Sequence, residues 1–100
     1  MATHLRMLNE EYYALKACKY ISEEVTQHPQ EEFFEISQHS VGRINAIFTL
    51  SGFDRMRCSE FLIKCVSDLH ERYLFSFIQA NNGKILRISC VLQRAEEIKQ

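Results

Sequence analysis

The chain has little that interrupts structure and few of the short motifs that announce chemistry. Three glycines and one proline in 100 residues, with no serine-rich or glycine-rich stretch, leave no place for a linker or a disordered segment. No glycine-rich loop is present to cradle a phosphate. No H-x-x-x-H or C-x-x-C pair offers a local metal chelate, and the four histidines, His4, His28, His39 and His70, are widely spaced. Nowhere do about 18 consecutive apolar residues suggest a membrane span, and the opening residues Met1 to Arg6 hold no apolar run of signal-peptide length. A cytoplasmic protein without membrane, metal or cofactor is expected.

The cysteines fit that compartment. Cys18, Cys58, Cys65 and Cys90 lie among apolar neighbours. Cys58 and Cys65 on one helix would stand roughly 10 Å apart by helical rise, too far for a disulfide. Reduced, buried thiols are expected. Arg55 and Arg57 beside Cys58 would favour a thiolate, which makes Cys58 the first thiol to test for chemistry. No local signature supplies it with a base, however, and no residue is assigned a catalytic role. The adjacent acids Glu10-Glu11, Glu23-Glu24, Glu31-Glu32 and Glu96-Glu97 point to different azimuths on a helix and read as solvated.

What is present is a core. With 46% hydrophobic and 25% charged residues and a net charge of −1, residues 1–100 read as a single globular domain. Charge is −3 over residues 1–50 and +2 over 51–100, and the cations Arg55, Arg57, Lys64 and Arg72 are interleaved with Asp54, Glu60, Asp68 and Glu71. That pattern is a solvated helix face and not the dense basic patch of a nucleic-acid reader.

Leu5, Leu8, Tyr12, Leu15, Cys18, Ile21 and Val25 recur every three or four residues, which predicts an amphipathic helix ending near residue 26, before His28-Pro29. Residues 31–52 fit two patterns. Alternation of Phe34 and Ile36, then Ile44, Ala46, Phe48 and Leu50, makes a hairpin turning through His39 to Gly42, whereas Phe33, Ile36, Val41, Ile44, Ile47 and Phe48 fit a helix. Gly42 favours the hairpin, because glycine inside a helix costs about 1 kcal/mol relative to alanine.

Asp54 or Ser59 can cap a second helix along Cys58, Phe61, Leu62, Cys65, Val66 and Leu69. Arg72 to Gln79 and Lys84 to Gln93 then form a hairpin about Asn81-Asn82-Gly83, and Arg94 to Gln100 a short helical tail. The expected fold is α+β in the order α-β-β-α-β-β, a four-stranded antiparallel sheet with two helices on one face. An all-α four-helix bundle is the alternative. The segments Gly42-Arg43-Ile44 and Gly83-Lys84-Ile85 suggest one helix-plus-hairpin unit written twice. The element order with a dimerising sheet is broadly similar to the small secretion chaperones, which usually have another strand and a fuller final helix. That similarity implies a fold and a partner class and assigns no residue.

Two surfaces are candidate protein interfaces. If helices cover Phe34, Ile44, Phe48, Phe75, Phe77, Leu86 and Ile88, the second sheet face still carries Phe33, Ile47, Leu74, Ile78, Ile85 and Val91, with Arg43 and Arg87 at its rim. Tyr13 and Tyr20, one heptad apart and off the main stripe of the first helix, form the second candidate. The expected function is a small non-enzymatic protein-binding module, an adaptor, chaperone or inhibitor, homodimeric through an apolar sheet face and engaging a further protein partner. A nucleic-acid-binding regulator, with bases stacked on a sheet, and a small enzyme with a dispersed site are the rivals from other classes.

Overall fold

The computed structural model describes residues 9–93. Three helices and three strands follow in the order α1 (Asn9–Gln27), β1 (Phe33–Glu35), α2 (Gln38–Ser51), α3 (Arg55–Leu69), β2 (Tyr73–Gln79) and β3 (Ile85–Leu92). The sheet is antiparallel with strand order β1-β3-β2. This corrects the expected four-stranded sheet with two helices, and the all-helical alternative as well. The expected tail at Arg94 to Gln100 lies outside the described residues.

The correction comes from residues 38–51, which are helix and not the return of a hairpin. Ser37 has extended backbone and its side chain accepts from the Ser40 amide, so the helix starts on a capped turn. Val41, Ile44, Asn45 and Phe48 then fall on one buried face at helical spacing. Gly52, at φ 72°, closes it with its N–H on the Thr49 carbonyl. Each large apolar side chain buried contributes about 1.5–3 kcal/mol, so three of them outweigh the cost of Gly42. The two glycine-cation-isoleucine segments are therefore not a structural repeat. Gly42 is helical, whereas Gly83 has φ 87° in the β2–β3 turn, beneath the Arg55 side chain.

Helix α1 buries Ala14, Ala17, Cys18, Ile21 and Val25, while Tyr12 and Leu15 point outward. The stripe is rotated from the expected one because α1 packs on both α3 and α2, and small alanines let a helix backbone approach closely where larger side chains would hold it off. Pro29 ends the helix, and Gln30 takes a left-handed conformation at φ 67° to turn the chain into β1. Asp54 caps α3 by accepting from the Met56 and Arg57 amides; Ser59 is buried inside the helix instead.

Helix α2 lies against β3 and α3 against β2. The core between them and α1 holds Ile21, Phe34, Ile36, Ile44, Phe48, Cys58, Leu62, Val66, Ile85, Ile88 and Cys90, in a small single compact domain of mixed α+β structure. No described helix is long and apolar enough to cross a membrane.

Buried polar groups tie the layers together. Glu24 on α1 accepts from the Ser37 hydroxyl at 2.5 Å, the Ser40 hydroxyl at 2.7 Å and the Ser37 amide at 3.2 Å, so one carboxylate fixes the start of α2. Asn45 donates to the Ile85 carbonyl at 2.8 Å and accepts from its amide at 2.9 Å, which locks α2 to the first residue of β3. Arg55 reaches back to Asn45 and to the Thr49 hydroxyl. Gln79 donates to the Ser59 hydroxyl and the Gly83 carbonyl, fastening the β2–β3 turn to α3.

Candidate functional site

The helices all lie on one side of the sheet, and strand register decides which side chains are left on the other. Phe33 pairs with Val91 and Val91 with Leu74, so three apolar residues stand in one row across all three strands. They are 57%, 41% and 59% exposed. The next outward row, Glu35, Ser89 and Ser76, is polar. Beyond it Arg87 pairs with Ile78, itself exposed, and the Arg87 Nε stands 3.8 Å from the Glu35 carboxylate. The helix-free face is thus an apolar row at one end and Ile78 with the exposed Leu86 at the other, separated by a band bearing one charge of each sign.

A bulge sets the far end of this face. Phe77 pairs with Ile88 and Ile78 with Arg87, but Gln79 pairs with Ile85, so one residue of β3 is inserted. A one-residue insertion reverses which side the following residues face. Ile85 is consequently fully buried and Leu86 exposed, the opposite of the expected assignment. Asn45, bound to both backbone groups of Ile85, secures the residue at the bulge. Leu86 is the member of this surface that sequence reasoning missed, because a bulge has no sequence signal strong enough to reveal it; Glu35 follows from alternation with Phe34 and Ile36 but is not among the expected interface residues.

The nine expected interface residues divide. Phe33, Leu74, Ile78, Val91 and Arg87 share the helix-free face. Ile47 and Arg43 do not, because they belong to α2: Ile47 is half-buried against the core, and the Arg43 guanidinium sits over the Tyr20 ring at 5.9 Å. Tyr20 is half-buried on the core as well. Tyr13 packs edge to face with Tyr12 and lies 5.9 Å from the Phe53 ring. The two tyrosines therefore meet different neighbours and do not form one patch.

A groove lies between α1 and α3, lined by Glu11, Ala14, Leu15, Phe61, Lys64, Cys65 and Asp68. The buried thiols Cys18, Cys58 and Cys90 have little nucleophilic character at neutral pH. Burial pushes Cys18 up to about 12, with neighbouring Cys65 adding to the shift, and burial beside Glu24 does the same for Cys90. Cys58 is also raised, by burial first and then by Glu10 and Asp54, which outweigh the Arg55 charge expected to lower it. His70 bonds Ser22 at 2.8 Å and its pKa is lowered by burial. Among the described residues no three His, Cys, Asp or Glu side chains are grouped to hold a metal ion.

No family model matches this chain, and no curated protein or solved structure is significantly similar to it.

Proposed function

We propose that the protein is a small, non-enzymatic protein-binding module of the cytoplasm, and that the helix-free sheet face is its working surface. The observation that carries this reading is the Phe33-Val91-Leu74 row, three adjacent apolar side chains held in register and left in water. Single exposed apolar residues are ordinary, but a contiguous row on a rigid sheet, rimmed by charge, has the composition of an interface centre. The face is a flat layer and not a cavity, which suits the surface of another polypeptide better than a small molecule. The complementary partner presents apolar side chains to the row and polar groups of both signs to Arg87 and Glu35.

The test uses a photo-crosslinking residue at position 33, two strands from the β2 edge, and, as control, at the exposed position 19 on α1. A discrete protein adduct from position 33 in the native host, absent from position 19 and lost in a Val91→Thr background that still folds, is expected. Equal adducts from both positions, or a link from position 33 to the protein's own chain, would overturn the reading. The sequence pattern places a homodimer on the apolar sheet face; we propose a homodimer at the sheet edge instead, which leaves that face to the partner.

A further inference from the structure

Strand β2 is an edge strand whose outer side pairs with no other strand among the described residues. We infer that this edge joins two copies of the chain, antiparallel about Ser76, into one continuous six-stranded sheet. The inference stands on the edge and not on the docking reading of the face.

The ladder geometry fixes which backbone groups are free. In an antiparallel strand the N–H and C=O of one residue point the same way, and successive residues alternate. The Arg72 carbonyl accepts from the Gln93 amide, so Arg72, and with it Leu74, Ser76 and Ile78, turns toward β3. On the other side of β3, the Leu92 amide donates to Glu32 and the Ile88 carbonyl accepts from Ile36, the complementary phase expected of that ladder. Phe75 and Phe77 must therefore direct their amides and carbonyls out of the sheet, joined by the Tyr73 carbonyl and by the Gln79 amide and carbonyl. The Tyr73 amide is already used, donating to the His70 carbonyl.

The strand reads Tyr73-Leu74-Phe75-Ser76-Phe77-Ile78-Gln79, and it is self-complementary about its centre. Pairing with a second copy about a twofold axis at Ser76 sets Phe75 against Phe77, Leu74 against Ile78 and Tyr73 against Gln79. Phe75 and Phe77 then exchange both bonds on each side of the axis, and each Gln79 amide meets a Tyr73 carbonyl. The Gln79 carbonyl, opposite the Tyr73 amide that His70 already holds, stays at the solvent end of the seam. Opposed residues also face the same side, so all helices stay on one side of the joined sheet and both helix-free faces on the other.

Two further observations agree. Natural edge strands are guarded by lysine, proline, bulges or shortness. Strand β2 has seven residues, no charge and no proline, and the bulge of its pairing lies in β3 near its last residue. In addition, Tyr73, Phe75 and Phe77 point toward the core yet are only half-buried, as side chains are where a sheet stops before its cover does. Ile63 lies two positions on from Phe61, on the opposite flank of α3 from the α1 groove, and is also half-buried; it adds an apolar side chain to the helix lying over β2.

Ser76 gives a clean test, because it is exposed and lies opposite its own copy at the axis. Like charges directly opposed across strands are destabilising, and opposite charges are favourable. Sedimentation equilibrium at about 100 μM chain, a concentration at which interfaces of micromolar affinity are filled, should give twice the 11.8 kDa chain mass for the native protein. Ser76→Lys alone and Ser76→Glu alone should sediment at the single-chain mass with native circular dichroism, and their equimolar mixture should recover the double mass. Amide exchange at Phe75 and Phe77 should slow with concentration in the native protein. Leu74→Thr/Val91→Thr should still dimerise, since backbone bonds carry the contact. A native protein of single-chain mass, a double mass that persists in both charged variants, or a monomer produced by Leu74→Thr/Val91→Thr while the Ser76 variants stay dimeric would each overturn the edge pairing.

Discussion

The two sides of one sheet differ more than the strands themselves do. On the covered side, Phe34, Ile88 and Cys90 are almost wholly buried, and the polar groups nearby are each committed to a bond that holds a helix in place. On the open side, residues of the same apolar character, Phe33, Leu74 and Val91, stand in water with no helix above them. Alternation alone is therefore a statement about which residues share a side; only the arrangement of helices decides which side is core. In this chain the second side is as apolar at one end as many interfaces are at their centres, and that is where a functional reading gains purchase.

The largest effect should come from the covered side. Ile88→Ala removes a fully buried side chain at the middle of β3 and should cost about 2–5 kcal/mol in urea unfolding, against about 0.5 kcal/mol for the exposed Leu74→Ala one strand away. Equal costs would mean that the two sides are equally packed.

Next come the buried polar fastenings of the covered side. Glu24→Gln weakens charge-assisted bonds to Ser37 and Ser40 and should cost roughly 1.5–3 kcal/mol near neutrality. Burial of Glu24 opposes ionisation, but the Ser37 and Ser40 hydroxyls, the Ser37 amide and His28 together lower its pKa below the ordinary value. In acid the unfolded chain thus binds this proton first, so the stabilisation is present above the ordinary carboxylate pKa and is lost as pH falls through the lowered one. The Gln variant should show a flatter fall in stability across that acid range. Asn45→Ala strands both backbone groups of Ile85 and should cost about 1–3 kcal/mol. It should also loosen the bulge, seen as faster amide exchange at Ile85.

The glycines sharpen the contrast between open and closed sites with opposite signs. Gly42 is exposed on α2 with no atom near the place of a Cβ, so Gly42→Ala should stabilise by about 1 kcal/mol. Gly83 has positive φ, and a Cβ there would lie 3.0 Å from the Arg55 Cβ; Gly83→Ala should destabilise by at least about 1 kcal/mol. Thermal unfolding of the two variants checks both signs.

Much of the pattern was legible in the chain. Helices α1 and α3 were readable from apolar spacing and from Pro29 and Asp54, and the β2–β3 hairpin from its alternation and Asn-Asn-Gly turn. Residues 38–51 were not, because Ile44 and Phe48 satisfy both periods and the deciding terms, a serine cap and burial under a neighbouring helix, are partly tertiary. Reading residues 38–51 as a strand puts Ile47 and Arg43 on a sheet face that they never reach. Phe33, Leu74, Ile78, Val91 and Arg87 could be placed on the helix-free side because alternation within a single strand is a local property. Ile85 and Leu86 exchanged places because a bulge is decided by how two strands meet, and Ala14 and Ala17 were passed over because small residues carry little hydropathy although they set how closely helices pack.

The exposure of the apolar row is best measured by urea unfolding of Leu74→Thr/Val91→Thr, which keeps strand propensity while removing the apolar groups. A cooperative transition within about 1 kcal/mol of the native protein is expected, since side chains that nothing covers contribute little to folding. A loss of several kcal/mol would mean that the row is packed beneath something in the folded chain, and no free docking face would remain.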